Sequence, residues 1–193
     1  MEFELDKVLK IKTSGRDASI ANYLNFPYEA TPYKVLQELA NSGYISRKDT
    51  IVDFGCGKGR VDFYLAFAVK CNMIGIEYDE RLYNVAEENK KTCISSSRTT
   101  FINCNAIDYV IDDNITGVYF FNPFSIDILK VVIANIIESK KRKDRKILLF
   151  FYYPSVKYLD FLKQNNIKYV DIIDCLELFD YTDDNEYIAI YEI

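Results

Sequence analysis

Histidine and tryptophan are both absent from the 193 residues. Without imidazole, neither a Cys–His nucleophile pair nor a Cys/His zinc site can be assembled. Cysteine is sparse and odd in number, at Cys56, Cys71, Cys93, Cys104 and Cys175, and no two fall in a C-x-x-C spacing. That usage predicts reduced, buried thiols in a cytoplasmic protein, with neither a disulfide framework nor a metal centre. Long apolar runs are missing too. The longest uncharged window, 114–126, has 13 residues and contains Pro123, too short and too broken to span a bilayer. The opening "MEFELDKVLK" carries acids and none of the apolar core of a secretory signal.

Positive charge is in deficit, 24 Lys and Arg against 29 Asp and Glu, a net charge of −5. Sequence-independent binding to duplex DNA rests on many phosphate contacts, so the balance argues against it. The cations that are present cluster: "KKRKDRK", 140–146, reads as the solvated end of a helix, where positive charge complements the helix dipole. Residues 171–193 hold eight acids and no Lys or Arg. What the chain has in abundance is apolar and aromatic side chains, 49% hydrophobic with 16 Tyr and 13 Phe. That is enough to bury the core of one ordinary domain, and most of the rings are expected inside it.

Strand-like and helix-like segments alternate from Thr50 onward, the pattern of an α/β fold with a mainly parallel sheet. "TIVDFG" reads as a first strand and "RVDFYLAFAVK" as a helix with Val61, Tyr64, Leu65, Ala68 and Val69 on one face. "NMIGIEYD", "TTFINCNA", "GVYFFNPF" and "KILLFFYYP" read as further strands. "ERLYNVAEENKK", "SIDILKVVIANIIESKK" and "SVKYLDFLKQNN" read as helices between or after them. The last two strands, "IKYVDIIDCLELF" and "NEYIAIYEI", have no room for a helix between them and are therefore expected to be antiparallel. Residues 1–30 read as irregular apart from short elements. "TPYKVLQELANSGY" reads as a helix capped by Thr31 with Pro32 in its first position.

The glycine turn "VDFGCGKGR" follows the first strand and opens a helix, and Glu77 ends the next strand 18 residues after Gly59. This is the nucleotide-binding arrangement of a doubly wound sheet, with the acid placed to accept both hydrogen bonds of a ribose diol. The dinucleotide fingerprint G-x-G-x-x-G is not met, because Arg60 stands where its third glycine would fall. Asp53 would also repel a pyrophosphate seated at the helix start. A ligand bearing an ammonium and a sulfonium in place of phosphates suits Asp53, and S-adenosylmethionine is such a ligand.

"VDFGCGKGR" followed by "IGIEYDE" resembles the cofactor-binding segments of class I S-adenosylmethionine-dependent methyltransferases. The resemblance in element order runs from Thr31 to the carboxyl terminus. It implies a Rossmann-like doubly wound sheet of seven strands, mainly parallel with an antiparallel C-terminal strand. It divides the chain into an N-terminal segment, 1–30, as a candidate lid, and a methyltransferase domain, 31–193. By the same resemblance Gly55, Gly57 and Gly59 let the backbone approach the cofactor, and Asp53 faces its amino group. Glu77 holds the ribose hydroxyls and Tyr78 packs on the adenine. Asn105 and Ala106 stand in the loop after the third strand, where the adenine amine is contacted, with Asp108 a competing candidate.

"FFNPFS" resembles the N-P-P-[FY] turn of amine and amide methyltransferases, with Asn122 and Pro123 supplying acceptors for the substrate N–H groups and Phe124 a ring against it. The second proline is missing. The shorter turn is also similar to that of protein-lysine methyltransferases of the histone-core type, which bind an aliphatic amine. In "NFPYEATPY", 25–33, the Thr-Pro pair resembles the segment closing over the methionine end of the cofactor, which would put Thr31 on the cofactor and Tyr28 and Tyr33 at the substrate entrance. The blocks "TPY", "DFGCGKGR", "IGIEYDE" and "FFNPFS" together are similar to a group of small bacterial methyltransferase-like proteins, which supports fold and cofactor and leaves the acceptor open.

The expectation is an enzyme that methylates nitrogen on a small molecule, a protein side chain or a nucleobase, with net acidity favouring the first two. A non-catalytic cofactor-binding partner protein is the alternative, and an NAD-type oxidoreductase a weaker one.

Overall fold

The computed structural model describes residues 2–17, 28–181 and 183–193. Six helices and seven strands follow one another as α1 (Glu2–Leu9), α2 (Tyr33–Asn41), β1 (Thr50–Phe54), α3 (Arg60–Ala68), β2 (Asn72–Glu77), α4 (Glu80–Thr92), β3 (Thr99–Asn103), β4 (Gly117–Phe120), α5 (Ile126–Arg142), β5 (Leu148–Tyr152), α6 (Val156–Gln164), β6 (Lys168–Asp174) and β7 (Tyr187–Glu192). The strands form one sheet in the order β3-β2-β1-β4-β5-β7-β6. β1 to β5 pair in parallel, and β7 inserts antiparallel between β5 and β6. The reversal expected from the short final connection is therefore present, and the strand order turns at β1, where chain direction switches from one half of the sheet to the other.

Alternation along each strand sends side chains to two cores. Ile51, Tyr119, Phe150 and Tyr152 face a core completed by α1 to α4. Val52, Phe54, Phe120 and Phe151 face one completed by α5 and α6. On that second side three rings form a ladder across neighbouring strands. Phe54 stacks on Phe120 at 5.7 Å, and Phe120 on Phe151 at 4.7 Å. Much of the unusual phenylalanine content is spent there, where offset rings add specific contact to their large buried area. The same alternation puts Asp53, between Ile51 and Gly55, on the α1–α3 side and opposite Tyr119 of β4.

Two local expectations are corrected. α3 is buried on every side over its first two turns, with Phe63 fully inside and Ala68 exposed, because α1 and α2 cover the face turned away from the sheet. Helix α2 starts one residue later than expected, with Pro32 at its cap and no side-chain cap bond. The hydroxyl of Thr31 lies 3.0 Å from that of Tyr119, and the first α2 amide, Tyr33 N–H, donates to Glu2 of α1 at 3.0 Å. The basic run is a helix end, as expected. Lys140, Lys141, Arg142 and Lys146 pair with Asp144, Glu138, Asp113 and Glu192. Arg145 donates to the carbonyls of Asp112, Ile115, Ser139 and Lys143.

The N-terminal residues hold to the rest through polar groups inside the core. Arg60, the first residue of α3, is 4% exposed. Its guanidinium donates to the Thr13 hydroxyl at 2.8 Å, the Ser14 hydroxyl at 3.0 Å and the Thr31 carbonyl at 3.3 Å, pairs with Glu2, and lies over the Tyr33 ring. Asp6 accepts from the Thr13 amide at 2.9 Å, the Thr13 hydroxyl at 2.7 Å and the Tyr33 hydroxyl at 2.5 Å. Burial raises its pKa, but the bonds from Tyr33 and Thr13 outweigh burial and hold it below the ordinary carboxylate value. Truncating Asp6 would leave several buried donors unpaired. Asp6→Ala is expected to cost about 3 kcal/mol in urea unfolding at pH 7, against under about 0.5 kcal/mol for exposed Asp144→Ala. Because the folded pKa lies below the unfolded one, the Asp6 contribution is present above about pH 4 and is lost as pH falls further.

Candidate cofactor and acceptor site

A cleft open to solvent lies at the carboxyl ends of β1, β2 and β4. This is where an open α/β sheet with a reversal of strand order binds its ligands. Its floor is the turn between β1 and α3. Gly55 and Gly57 have φ of 76° and 56°, values that favour glycine. Both also lack room for a side chain. A Cβ on Gly55 would lie 2.6 Å from Pro123 Cβ, and one on Gly57 would overlap the Tyr28 ring. The turn is consequently in direct contact with the end of β4 on one side and with Tyr28 on the other. Gly59 caps α3 with φ 83° and packs beside Phe101 and Phe63, away from the cleft lining.

Glu77, at the end of β2, is buried and bridges the turn to the next loop. One carboxylate oxygen accepts the Gly57 N–H at 2.8 Å and the other the Asp79 N–H at 2.8 Å. Each oxygen keeps a lone pair for a ligand hydroxyl. Burial raises the Glu77 pKa, and the backbone donors oppose that rise. Tyr78, 58% exposed, stands at the cleft edge. Asn105 and Ala106 line the cleft beyond it, with Asn105 Oδ1 accepting from Ile107 N–H at 3.2 Å. Asp108 is exposed and is not among the lining residues. Asp53 sits in the floor, 3% exposed, and its Oδ2 has no hydrogen-bond partner. An unpartnered carboxylate oxygen, a carboxylate with spare acceptor capacity and a close-approach backbone suit a ligand with an ammonium at one end and a ribose in its middle.

The β4 turn divides into residues that reach the cleft and one that does not. Pro123 and Phe124 line it. Phe124 is also packed edge-on to Phe54 and Phe120, and its carbonyl accepts from the Tyr158 hydroxyl. Asn122, expected to present its side-chain carbonyl to a substrate, is turned to the neighbouring strand end instead. Its amide donates to the Tyr153 carbonyl and its Oδ1 accepts from Ser155 N–H at 3.1 Å. Asn122 and Tyr153 both have positive φ, 40° and 50°, so the bridge joins two tight turns. Tyr33, expected at the entrance, is fully buried with its hydroxyl on Asp6. Tyr28 and Thr31 do line the cleft, whereas residues 25–27 of that motif lie outside the described residues.

Several lining residues had no sequence signal as site residues, among them Tyr119, Phe121, Cys56 and Cys104. Strand alternation from Asp53 would have found Tyr119 and Phe121, which stand on the same sheet face. Phe121 packs on Tyr152 at 4.6 Å between centroids. Arg60 reaches the cleft wall through the network described above.

The profile of the family described as "Histone methylation protein DOT1" matches residues 15–119, just over half of the chain. A curated protein of Dictyostelium discoideum, "Histone-lysine N-methyltransferase, H3 lysine-79 specific", is 35% identical over 72 residues, which are 35% of this chain and 4% of that one. This chain therefore spans only a small fraction of that relative's length. Among solved structures, a TehB-like S-adenosylmethionine-dependent methyltransferase from Corynebacterium glutamicum superposes with a TM-score of 0.57 at 17% identity, covering 81% of this chain and 86% of that one. An RNA methyltransferase from Salinibacter ruber, solved with S-adenosylhomocysteine, gives 0.58 at 16% identity over 86% and 94%. At such identities these neighbours speak for the fold. The family match, the Rossmann-like sheet and a cleft suited to an ammonium and a ribose agree, and the chain belongs to the DOT1 histone-methylation family of class I S-adenosylmethionine-dependent methyltransferases, with S-adenosylmethionine as its cofactor.

Proposed function

We propose that this protein transfers the methyl group to an aliphatic amine, with a lysine side chain of a protein as the favoured acceptor and a small amine as the runner-up. The observation that carries the reading is the contact between Pro123 and Gly55. It seats the N-P-F turn against the glycine turn, so an acceptor held at one is adjacent to a cofactor held at the other.

Bound S-adenosylmethionine supplies a sulfonium methyl that is already activated for nucleophilic attack. The protein's part is then proximity and orientation. In this reading Glu77 holds the ribose hydroxyls, Asp53 meets the cofactor ammonium, and Tyr78, Asn105 and Ala106 enclose the adenine. Gly55 admits the backbone to the methionine end, Gly57 lets the Tyr28 ring lie on the turn, and Gly59 sets the start of α3. Tyr28, carried by the N-terminal segment, and Thr31, at the start of the domain formed by the rest of the chain, close that end, which gives the N-terminal segment a lid role.

The acceptor enters between Thr31, Tyr119 and Phe121, with Pro123 and Phe124 at its back. Aromatic faces suit an amine on an alkyl stem, through apolar contact and the attraction of a ring face for positive charge. β6 runs parallel to β5, so the connection from Asp174 to Tyr187 lies at this same end of the sheet. It carries Asp174, Glu177, Asp180, Asp183 and Asp184, with Glu186 buried at its end under Tyr152 and Tyr181; the outer five make a field that draws cationic acceptors and repels nucleic acid. The name of the Dictyostelium relative and the family description favour lysine over a nucleobase. The amine reaches the site as an ammonium outside and gives its proton to solvent at the cleft mouth before attack. Asn122 acts here by position: bridging Tyr153 and Ser155, it fixes the turn that presents Pro123.

The reading is tested by following S-adenosylhomocysteine formation with core histones, polylysine, spermidine and an adenine-containing oligonucleotide. Turnover is expected with the lysine substrates, and turnover with the oligonucleotide alone would overturn the amine assignment. Calorimetric titration with S-adenosylhomocysteine is expected to show Glu77→Ala weakened about 10- to 100-fold, the loss of charge-assisted hydrogen bonds. Asn122→Ala is expected to lower stability by about 1–2 kcal/mol and turnover more than tenfold while leaving cofactor affinity within about twofold. A turnover rate unchanged by that substitution would remove Asn122 from the mechanism.

A further inference from the structure

Asp62 has no role in the reading above, yet it is the most anomalous charged residue among the described residues. It stands in the first turn of α3, directly after the glycine turn, with 0% exposure. Neither of its carboxylate oxygens has a hydrogen-bond partner, and the same is true of Asp53 Oδ2. The two carboxyl groups neighbour each other, the charge of Asp62 acting directly on Asp53. The groups that bear on them from neighbouring elements are Glu77 of β2, the Cys56 thiol of the turn, the Tyr119 hydroxyl of β4 and the Cys71 thiol before β2. None of these carries positive charge. Among the described residues neither aspartate forms an ion pair, and no three acids or thiols converge to hold a metal ion. Arg60, two residues before Asp62, is committed to Glu2, Thr13, Ser14 and Thr31.

Two carboxylates sealed together without a donor or a counter-charge cannot both ionise. Burial, then the Asp62 charge, raises the Asp53 carboxyl well above its ordinary value, and burial pushes Asp62 up to about 7. The protons belong to the pair. Asp53 lines the cleft and Asp62 lies behind it.

We infer that Asp62 is a positioning residue of the cofactor site: it shares a proton with Asp53, so that the pair holds one net negative charge when the cofactor ammonium binds and gives up a second proton to solvent in doing so. This rests on the reading that Asp53 faces the ammonium. A single Asp would hold a full charge in the floor with nothing behind it. The pair instead spreads one charge over two carboxyls joined by a hydrogen bond, which orients Asp53 without a basic residue that would repel the ammonium. Binding thereby becomes proton-linked across neutral pH.

The decisive experiment is calorimetric titration with S-adenosylhomocysteine at pH 6 and pH 8, in buffers of different ionisation enthalpy that report the protons released. The wild type is expected to release about 0.9 proton at pH 6 and about 0.1 at pH 8, with Kd about tenfold weaker at pH 6. 5′-Methylthioadenosine, which lacks the ammonium, is expected to release none. Asp62→Asn supplies an amide donor to an ionised Asp53, and proton release and the pH dependence of Kd are expected to vanish. Equal release by wild type and variant, no release by the wild type, or release with methylthioadenosine would each overturn the inference.

Ligand-free unfolding separates this outcome from a failure of the cofactor reading itself. For a carboxyl whose folded pKa exceeds the unfolded value, stability is full below the unfolded pKa and is lost as pH rises through the folded one. The wild type should therefore lose stability relative to Asp62→Asn between about pH 4 and pH 8. Parallel curves would overturn the shared proton even if S-adenosylhomocysteine failed to bind.

Discussion

The buried guanidinium of Arg60 is the interaction on which the site depends. An arginine inside a protein is tolerated only when its donors are met, and here they are met by residues from three separate stretches of chain: Glu2, the Thr13–Ser14 pair and the Thr31 carbonyl. Because Arg60 begins α3 immediately after the glycine turn, the same contacts that neutralise it draw the N-terminal segment over that turn. The Thr13 carbonyl receives the Tyr28 hydroxyl at 2.6 Å, and Tyr28 lies on Gly57. Floor and roof of the cleft are thus one polar unit, and a chain lacking that arginine would hold its first helix by the packing of Leu9 and the bonds of Glu2 and Asp6 to Tyr33.

This unit also explains the electrostatics of the cleft. Arg60, in the cleft wall, has its guanidinium engaged by Glu2, Thr13, Ser14 and Thr31, which leaves Asp53, Asp62 and Glu77 without an ion pair among the described residues. Burial makes that uncompensated acidity expensive. It is tolerable if protons or a cationic ligand supply the missing charge. Selection for an ammonium- and sulfonium-bearing cofactor follows from the same imbalance, since a pyrophosphate would meet carboxyl groups with nothing to shield them. The acceptor side carries its acids differently, on the connection between β6 and β7, where all but the buried Glu186 reach solvent, cost little and act by long-range attraction.

Much of this was legible in the residues. Strands with alternating partners, helices with apolar stripes and the helix-free link before β7 specified a doubly wound sheet with one reversed strand. Asp53, Gly55 and Glu77, singled out in the sequence, line the cleft, and Gly57 has the positive φ that its turn requires. The acceptor half was harder to read. Tyr119, in β4, and Phe121, just after it, stand in an apolar stretch whose bearing on the cleft shows only through strand alternation from Asp53. Tyr33 and Asn122 had the right chemistry in the right motif, but packing took them elsewhere: Tyr33 to a buried carboxylate and Asn122 to the end of β5.

The division has a physical basis. Roles set by a residue's neighbours in sequence, such as a turn needing positive φ or a strand end offering a carboxylate, are determined by the sequence itself. Roles set by groups far away in the chain were decided only on folding: Arg60 meeting Glu2 across 58 residues, Asn122 meeting Tyr153 across 31. The fate of Asp62 belongs to the second kind. In the sequence it is one polar residue on a helix expected to show an exposed side. Only folding packs α3 onto the sheet, buries the Asp62 carboxyl beside Asp53 and makes its proton part of the site.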